Sequence, residues 1–210
     1  MENLVFFSGL GRGKSSYRKL LSLTPKNFKL YFLNSTFLMQ GGTDRAVEEI
    51  EKFLSSRGLK KVNLAGHSLG GGLAILFTNR NPKKVVHLYL LDTVAVSEKL
   101  PLLHQIVDFF HARPIAHAME DLKSLPTAVR HPKLFFRLFR YVRNVDLQSE
   151  AAGIKVPTTV IWGEDDPLIP IRHARKLARL IKKSKIIILP KMGHDWPIFK
   201  PELFWENINE

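Results

Sequence analysis

Short apolar runs along this chain alternate with longer stretches in which apolar residues return every three or four positions. Residues 3–8 are a nearly unbroken apolar run ending at Gly9, as expected of a strand buried on both faces. Residues 15–23 read as a helix, and residues 28–33 alternate well enough for a second strand. Thr43 offers an N-cap for a helix to about residue 56, with Val47, Ile50 and Leu54 on one face and Arg57-Gly58 as its stop. Residues 61–65 form a third strand. The glycine-rich turn at 66–72 then leads into a helix to about residue 79, ended by Asn81-Pro82. Further strands are predicted at 85–91, 158–162 and 185–189, and helices at 171–181 and 201–209.

Strands separated by helical patterns predict an α/β fold, a mostly parallel sheet of about six strands with right-handed crossovers and flanking helices. Residues 97–153 break the alternation, with several helical stretches and no strand. They read as a helical cap inserted between the fourth and fifth strands of a single domain spanning residues 1–210.

The turn after the third strand carries the strongest chemical signal. Gly66-His67-Ser68-Leu69-Gly70 is a G-x-S-x-G motif directly after an apolar strand and before a helix. Such a turn holds the serine in strained backbone geometry above the sheet edge. Strand and helix nearly touch there, so the residues two before and two after the serine must be small. The helix N-terminus behind Ser68 supplies a positive dipole end and, from Leu69, a free N–H for an oxyanion.

A serine hydroxyl needs a base, and the base needs an orienting acid. Gly163-Glu164-Asp165-Asp166 follows one strand and Gly193-His194 follows the next, which gives the order Ser, Asp, His. Both loops fall at C-terminal strand ends, where open α/β sheets bind ligands.

On these stretches, with Ser8-Gly9-Leu10-Gly11 near the start, the chain resembles the α/β-hydrolase family, in particular its capped esterase- and lipase-like members. The resemblance runs from Asn3 through nearly the last residue. It implies Ser68 as nucleophile, Asp166 as acid, with Asp165 as its competitor, and His194 as base. It also implies Leu10 as the second oxyanion donor beside Leu69. Asp92, at the end of the fourth strand, is a lower-ranked alternative acid. Ser8 stands where the family usually has histidine, a loop-shaping residue. The chain begins at what would be the family's third strand, so a shortened version of the fold is expected.

A rival from another class is a P-loop. Ser8-Gly9-Leu10-Gly11-Arg12-Gly13-Lys14-Ser15 matches G-x-x-x-x-G-K-[ST] except at its first position, and Leu88 to Asp92 imitates an apolar strand ending in an acid. It ranks low because it leaves Ser68, Asp166 and His194 unexplained.

Composition narrows the picture further. Cysteine is absent, which excludes disulfides, thiolate catalysis and Cys-based zinc sites. Neither H-x-x-x-H nor H-E-x-x-H stands near carboxylates in a helical stretch, so no metal or other cofactor is expected. The other histidines, His67, His87, His104, His111, His117, His131 and His173, read as packing or surface residues. Met1-Glu2-Asn3 and its short apolar run lack the form of a signal peptide, and no stretch approaches the ~20 apolar residues of a membrane span. A soluble, cytoplasmic protein is the expectation.

The formal net charge is +13, and it is uneven. No acid lies between Pro167 and His194, where Arg172, Arg175, Lys176, Arg179, Lys182, Lys183, Lys185 and Lys191 fall. Arg130, Lys133, Arg137, Arg140 and Arg143 form a second cluster. Such faces attract anionic lipid or an acidic carrier protein, or are simply solvated; sequence-specific nucleic-acid binding is not expected. Residues 132–143 would form an amphipathic helix with Leu134, Phe135, Leu138 and Val142 on one face. With Phe109, Phe110 and Met119 this makes either an acyl-binding lid or a helix packed on the core, and Phe109, Phe135 and Leu138 are the candidate substrate contacts. An ester is the expected substrate. Carbon–carbon bond hydrolysis and acyl-carrier-protein ester hydrolysis are the alternatives on the same fold.

Overall fold

Strand β1 (Glu2–Phe7) sends successive side chains to opposite faces. Leu4 and Phe6 enter one apolar core, Val5 and Phe7 another. A strand buried on both sides needs helices on both sides, and the computed structural model, which describes residues 1–96 and 130–208, has them. Six strands form one sheet in the order β2-β1-β3-β4-β5-β6, every neighbouring pair parallel. The others are β2 (Phe28–Leu33), β3 (Val62–His67), β4 (Val85–Leu91), β5 (Thr158–Gly163) and β6 (Ser184–Leu189).

Helices α3 (Thr43–Ser56) and α4 (Leu69–Arg80) cover one face, α3 through Ala46, Val47, Ile50 and Leu54. Residues Leu69 to Thr78 of α4 are all buried, which explains why that helix shows no amphipathic pattern. Helix α7 (Arg172–Leu180) adds Ala174 and Leu177. On the opposite face, Leu20 of α1 (Arg18–Ser22), Ile198 of α8 (Trp196–Phe199) and Phe204, Trp205 and Ile208 of α9 (Glu202–Ile208) pack around Phe6. Between β4 and β5 come α5 (Pro132–Asn144) and α6 (Gln148–Ala152). Among the described residues no helix is long and apolar enough to cross a membrane.

The sheet order has a consequence for the site. From β1 the chain moves outward to β2, then returns past β1 to β3 and continues the other way. The switch therefore lies between β1 and β3, where crossovers depart in opposite directions and leave a crevice at the C-terminal strand ends. Phe7 pairs with Gly66 in that register. The loop after β1 and the turn after β3 thus open side by side.

Several boundaries differ from the sequence expectation. Helix α1 begins at Arg18, not at residue 15, because Ser16, Tyr17 and Arg18 first pass through turns bonded to Gly13, Lys14 and Ser15. Thr43 is the first residue of α3, not its cap. Gly42 takes that position with φ 90° and no side-chain bond. Strand β3 runs to His67, two residues past the expected end, because pairing with β4 continues to Leu91. Helix α2 (Ser35–Leu38) was not legible: it is a single turn, capped by Asn34 Oδ1 accepting from the Thr36 and Phe37 N–H groups. Phe109, Phe110 and Met119 lie outside the described residues.

Candidate active site

Ser68 sits where β3 meets α4, with φ 54° and ψ −117°. A non-glycine residue in that region stores backbone strain and persists only when its surroundings hold it. Here the turn is held from both sides. The Ser68 N–H donates to the Leu91 carbonyl at 2.9 Å, and the Ser68 carbonyl accepts from the N–H groups of Gly71, Gly72 and Val94. The space is too tight for side chains. A Cβ on Gly66 would lie 2.4 Å from the Gly70 carbonyl oxygen, and one on Gly70 would lie 2.4 Å from the Phe7 carbonyl oxygen. The motif's small residues are therefore a packing requirement. Leu69 opens α4, and the N–H groups of Leu69 and Gly70 lie ahead of its first intrahelical acceptor.

The loop after β5 carries both candidate acids. Asp165 is exposed, whereas Asp166 is buried. Asp166 Oδ1 accepts from the Leu168 and Ile169 N–H groups at 2.8 and 2.9 Å, which leaves Oδ2 to meet His194 Nδ1 at 2.7 Å. Geometry thus selects Asp166 over its neighbour. Burial pulls the His194 pKa down, but the Asp166 charge and hydrogen bond, with Asp195, outweigh it and leave the pKa raised above 6.5. With Nδ1–H donating to the carboxylate, Nε2 is the ring nitrogen that keeps a free lone pair.

Asp92 is fully buried, at the end of β4 with φ 41°. Its Oδ1 accepts from the Gly163 N–H at 2.9 Å. Oxygens of Asp92 and Asp166 and a His194 ring nitrogen all lie within 4.8 Å of one another. Burial first, then the Asp166 charge, drive the Asp92 pKa well above its ordinary value. Asp92 stands behind the Asp166–His194 bond and is not the histidine's direct partner. These three residues have ligand-type atoms, but both Asp166 oxygens and Asp92 Oδ1 are already committed to hydrogen bonds.

One network had no signal in the sequence. His67 Nε2 lies 3.0 Å from the His194 carbonyl, and a carbonyl can only accept, so Nε2 carries the proton. His67 Nδ1 then accepts from the Tyr17 hydroxyl at 2.7 Å, and the Tyr17 oxygen accepts from the Gly9 N–H at 2.9 Å. Burial, followed by the charge of His194, lowers the His67 pKa to about 3 and keeps that ring neutral. The chain of bonds joins the loop after β1, the serine turn and the histidine loop. An ion pair ties two of these together again: Arg12, in the loop after β1, meets Asp195, the residue after His194, at 2.6 Å. The sequence read His67 only as a packing or surface residue, and it offered nothing to pair it with a tyrosine fifty residues earlier.

Leu10 lies in the loop this network fixes. Gly11 N–H donates to Thr36 Oγ1 at 2.9 Å, and Ser8 Oγ accepts from the Ser35 N–H at 3.2 Å. Ser8 thus shapes the loop by binding the start of α2. The same bonds count against the P-loop alternative. N–H groups needed to cradle a phosphate are taken by Tyr17, Thr36 and, for Arg12, the Gly9 carbonyl, and α1 is only one turn long.

The α5 residues divide in role. Phe135 lies over the loop after β1, its ring 3.4 Å from where a Gly11 Cβ would be. Leu138 is buried in the larger core and anchors the helix. A separate cavity of about 680 Å³ opens among Leu33, Phe37, Leu38, Gln40, Arg45 and Glu49, and none of Ser68, Asp166 or His194 lines it.

A parallel sheet with its crevice between β1 and β3, and a strained serine at that crevice, define a class. The chain belongs to the α/β hydrolase family, whose profile matches residues 4–206, and it is a hydrolase of that family. It is 24% identical to the monoacylglycerol lipase ABHD6 of Bos taurus, over 95% of this chain and 72% of that protein. It is 25% identical to the 2-hydroxy-6-oxo-2,4-heptadienoate hydrolase of Pseudomonas putida, over 73% of this chain and 64% of that one. The chain spans from 47% to 72% of the length of the curated relatives it matches. In fold it resembles a lipase-esterase related protein from Clostridium acetobutylicum, with a TM-score of 0.79, 17% identity, and 99% of this chain and 93% of that one covered.

Proposed function

We propose that this protein cleaves carboxylic esters through an acyl-enzyme on Ser68. His194 Nε2 takes the Ser68 proton as Oγ attacks the ester carbonyl, and Asp166 holds the ring and stabilises the imidazolium. The N–H groups of Leu10 and Leu69 hold the oxyanion. The intermediate collapses, the alcohol leaves with the proton from His194, and water then attacks the acyl-enzyme by the same path to release the acid. Phe135, over the loop after β1, is the side chain assigned to the acyl group. The observation that carries this reading is the 2.7 Å bond from a buried, doubly braced Asp166 to His194, whose loop is bonded to the turn that strains Ser68.

A panel of nitrophenyl esters from short to long acyl chains, run beside Ser68→Ala, tests it. The substitution should lower kcat by roughly 10⁴ to 10⁶. Full ester hydrolysis by Ser68→Ala would remove Ser68 from the mechanism. Carbon–carbon hydrolysis is a second reading, supported by the Pseudomonas putida relative. Turnover of a 2-hydroxy-6-oxodienoate with no ester hydrolysis would favour it.

A further inference from the structure

Helix α5 presents two unlike sides. Its inner side is anchored by Leu138, with Leu134, Phe135 and Val142 partly covered. Its outer side exposes Lys133, Phe136, Arg137 and Arg140, at positions that share one helical face. Phe136 is 69% exposed among these three cations. No acidic residue occurs from 122 to 145, so nothing on this helix offsets the charge.

The patch continues past the helix. Phe37 of α2 is 45% exposed and stands edge-on to the His131 ring at 5.7 Å, just before α5 begins. Arg137 donates to the carbonyl of Gln40, in the short turn that follows α2, at 2.6 Å, so α5 and this part of the chain form one surface. Two exposed phenyl rings set among cations are costly in water and match a phosphate-rich apolar boundary. Helix α7 makes the comparison within the molecule. It exposes Arg172, Arg175, Lys176 and Arg179 but no aromatic side chain, as a solvated face would.

We propose that the outer face of α5, together with Phe37, docks on a bilayer containing anionic phospholipid. Phe136 and Phe37 enter the headgroup boundary while Lys133, Arg137 and Arg140 meet the phosphates. An acidic protein would satisfy the cations but gives no reason for the exposed rings. Because Phe135 on this helix covers the loop after β1, docking turns the mouth of the site toward the lipid. That lipid esters then reach Ser68 from the bilayer rests on the hydrolase reading; the docking does not.

The test is co-sedimentation of the full chain with vesicles of phosphatidylcholine alone, or mixed with phosphatidylglycerol. Binding is expected to the mixed vesicles only and to weaken as salt is raised. Lys133→Glu with Arg140→Glu should lower partitioning by at least about fivefold per cation, and Phe136→Ser should lower it also. Short-chain nitrophenyl ester turnover in solution should stay unchanged in these variants. Ser68→Ala should bind vesicles like the parent chain, so loss of activity and loss of docking are read separately. Phe136→Trp supplies a signal that does not depend on a loss: its emission should shift to the blue on adding the mixed vesicles, beyond any shift of the parent chain. Equal binding to neutral vesicles would overturn the proposal. So would loss of binding through Arg175→Glu with Arg179→Glu on α7 in place of the α5 variants. Displacement from vesicles by polyglutamate at equal charge, with no blue shift, would assign the face to an acidic protein instead.

Discussion

His194 carries two opposing influences. Burial favours the neutral ring, and the adjacent Asp166 carboxylate favours the charged one; the second prevails. In the proposed mechanism only neutral His194 accepts the serine proton, so activity is expected to fall as pH drops through a pKa lying above 6.5. A pH profile of kcat/KM should place the acidic limb there, and a midpoint below 6.5 would mean that Asp166 does not govern the ring. Asp92 makes a different prediction, about stability. Its pKa in the folded chain is raised, so the folded state holds a proton that the unfolded state releases near pH 4. The stability tied to that proton is full below the unfolded pKa and declines as pH rises toward the folded one. Asp92→Asn lacks this dependence. Its unfolding free energy relative to the parent chain should climb as pH rises above the unfolded value near 4, with a slope approaching about 1.4 kcal/mol per pH unit. A difference that stays constant with pH would mean that Asp92 is ionised in the folded protein.

At the scale of elements, the serine turn is a junction of three elements held by two close approaches. Strand β3 meets α4 at Gly66 and Gly70, and α4 meets β1 at Gly70 and the Phe7 carbonyl. Gly70→Ala would drive a methyl group into backbone that the central sheet pairing cannot move. Overpacking of this kind costs about 1–3 kcal/mol where side chains can yield, and more where they cannot. Urea unfolding of Gly70→Ala should therefore show a loss of about 3 kcal/mol or more, if the variant folds at all. Ser8 shows the reverse economy. It replaces a bulkier residue expected in the family, and its hydroxyl accepts the Ser35 N–H, so α2 completes the loop's shape.

Across the whole molecule, the sequence was most legible where chemistry and periodicity agree. Apolar runs marked inner strands such as β1 because both faces of a central parallel strand are buried, whereas the edge strand β2 was read from its alternation. The order Ser68, Asp166, His194 could be read because each follows a strand. Alternatives stayed open where the deciding contact is distant. Asp165 and Asp166 are neighbours with the same side chain, and only the bonds from Leu168, Ile169 and His194 separate them. Leu138 and Phe135 shared one amphipathic face, but the fold buries the first in the core and lays the second over Gly11. Tyr17, His67, Arg12 and Asp195 belong to local patterns that say nothing of each other. Sequence by itself determined which segments become strands and helices and which side chains carry reactive groups, because both follow from local covalent chemistry and spacing. Tertiary structure decided which carboxylate meets His194, how the loop after β1 is held, and which cations of a +13 chain share a surface with exposed aromatic rings. Those outcomes depend on distances between residues far apart in the chain, and packing alone fixes such distances.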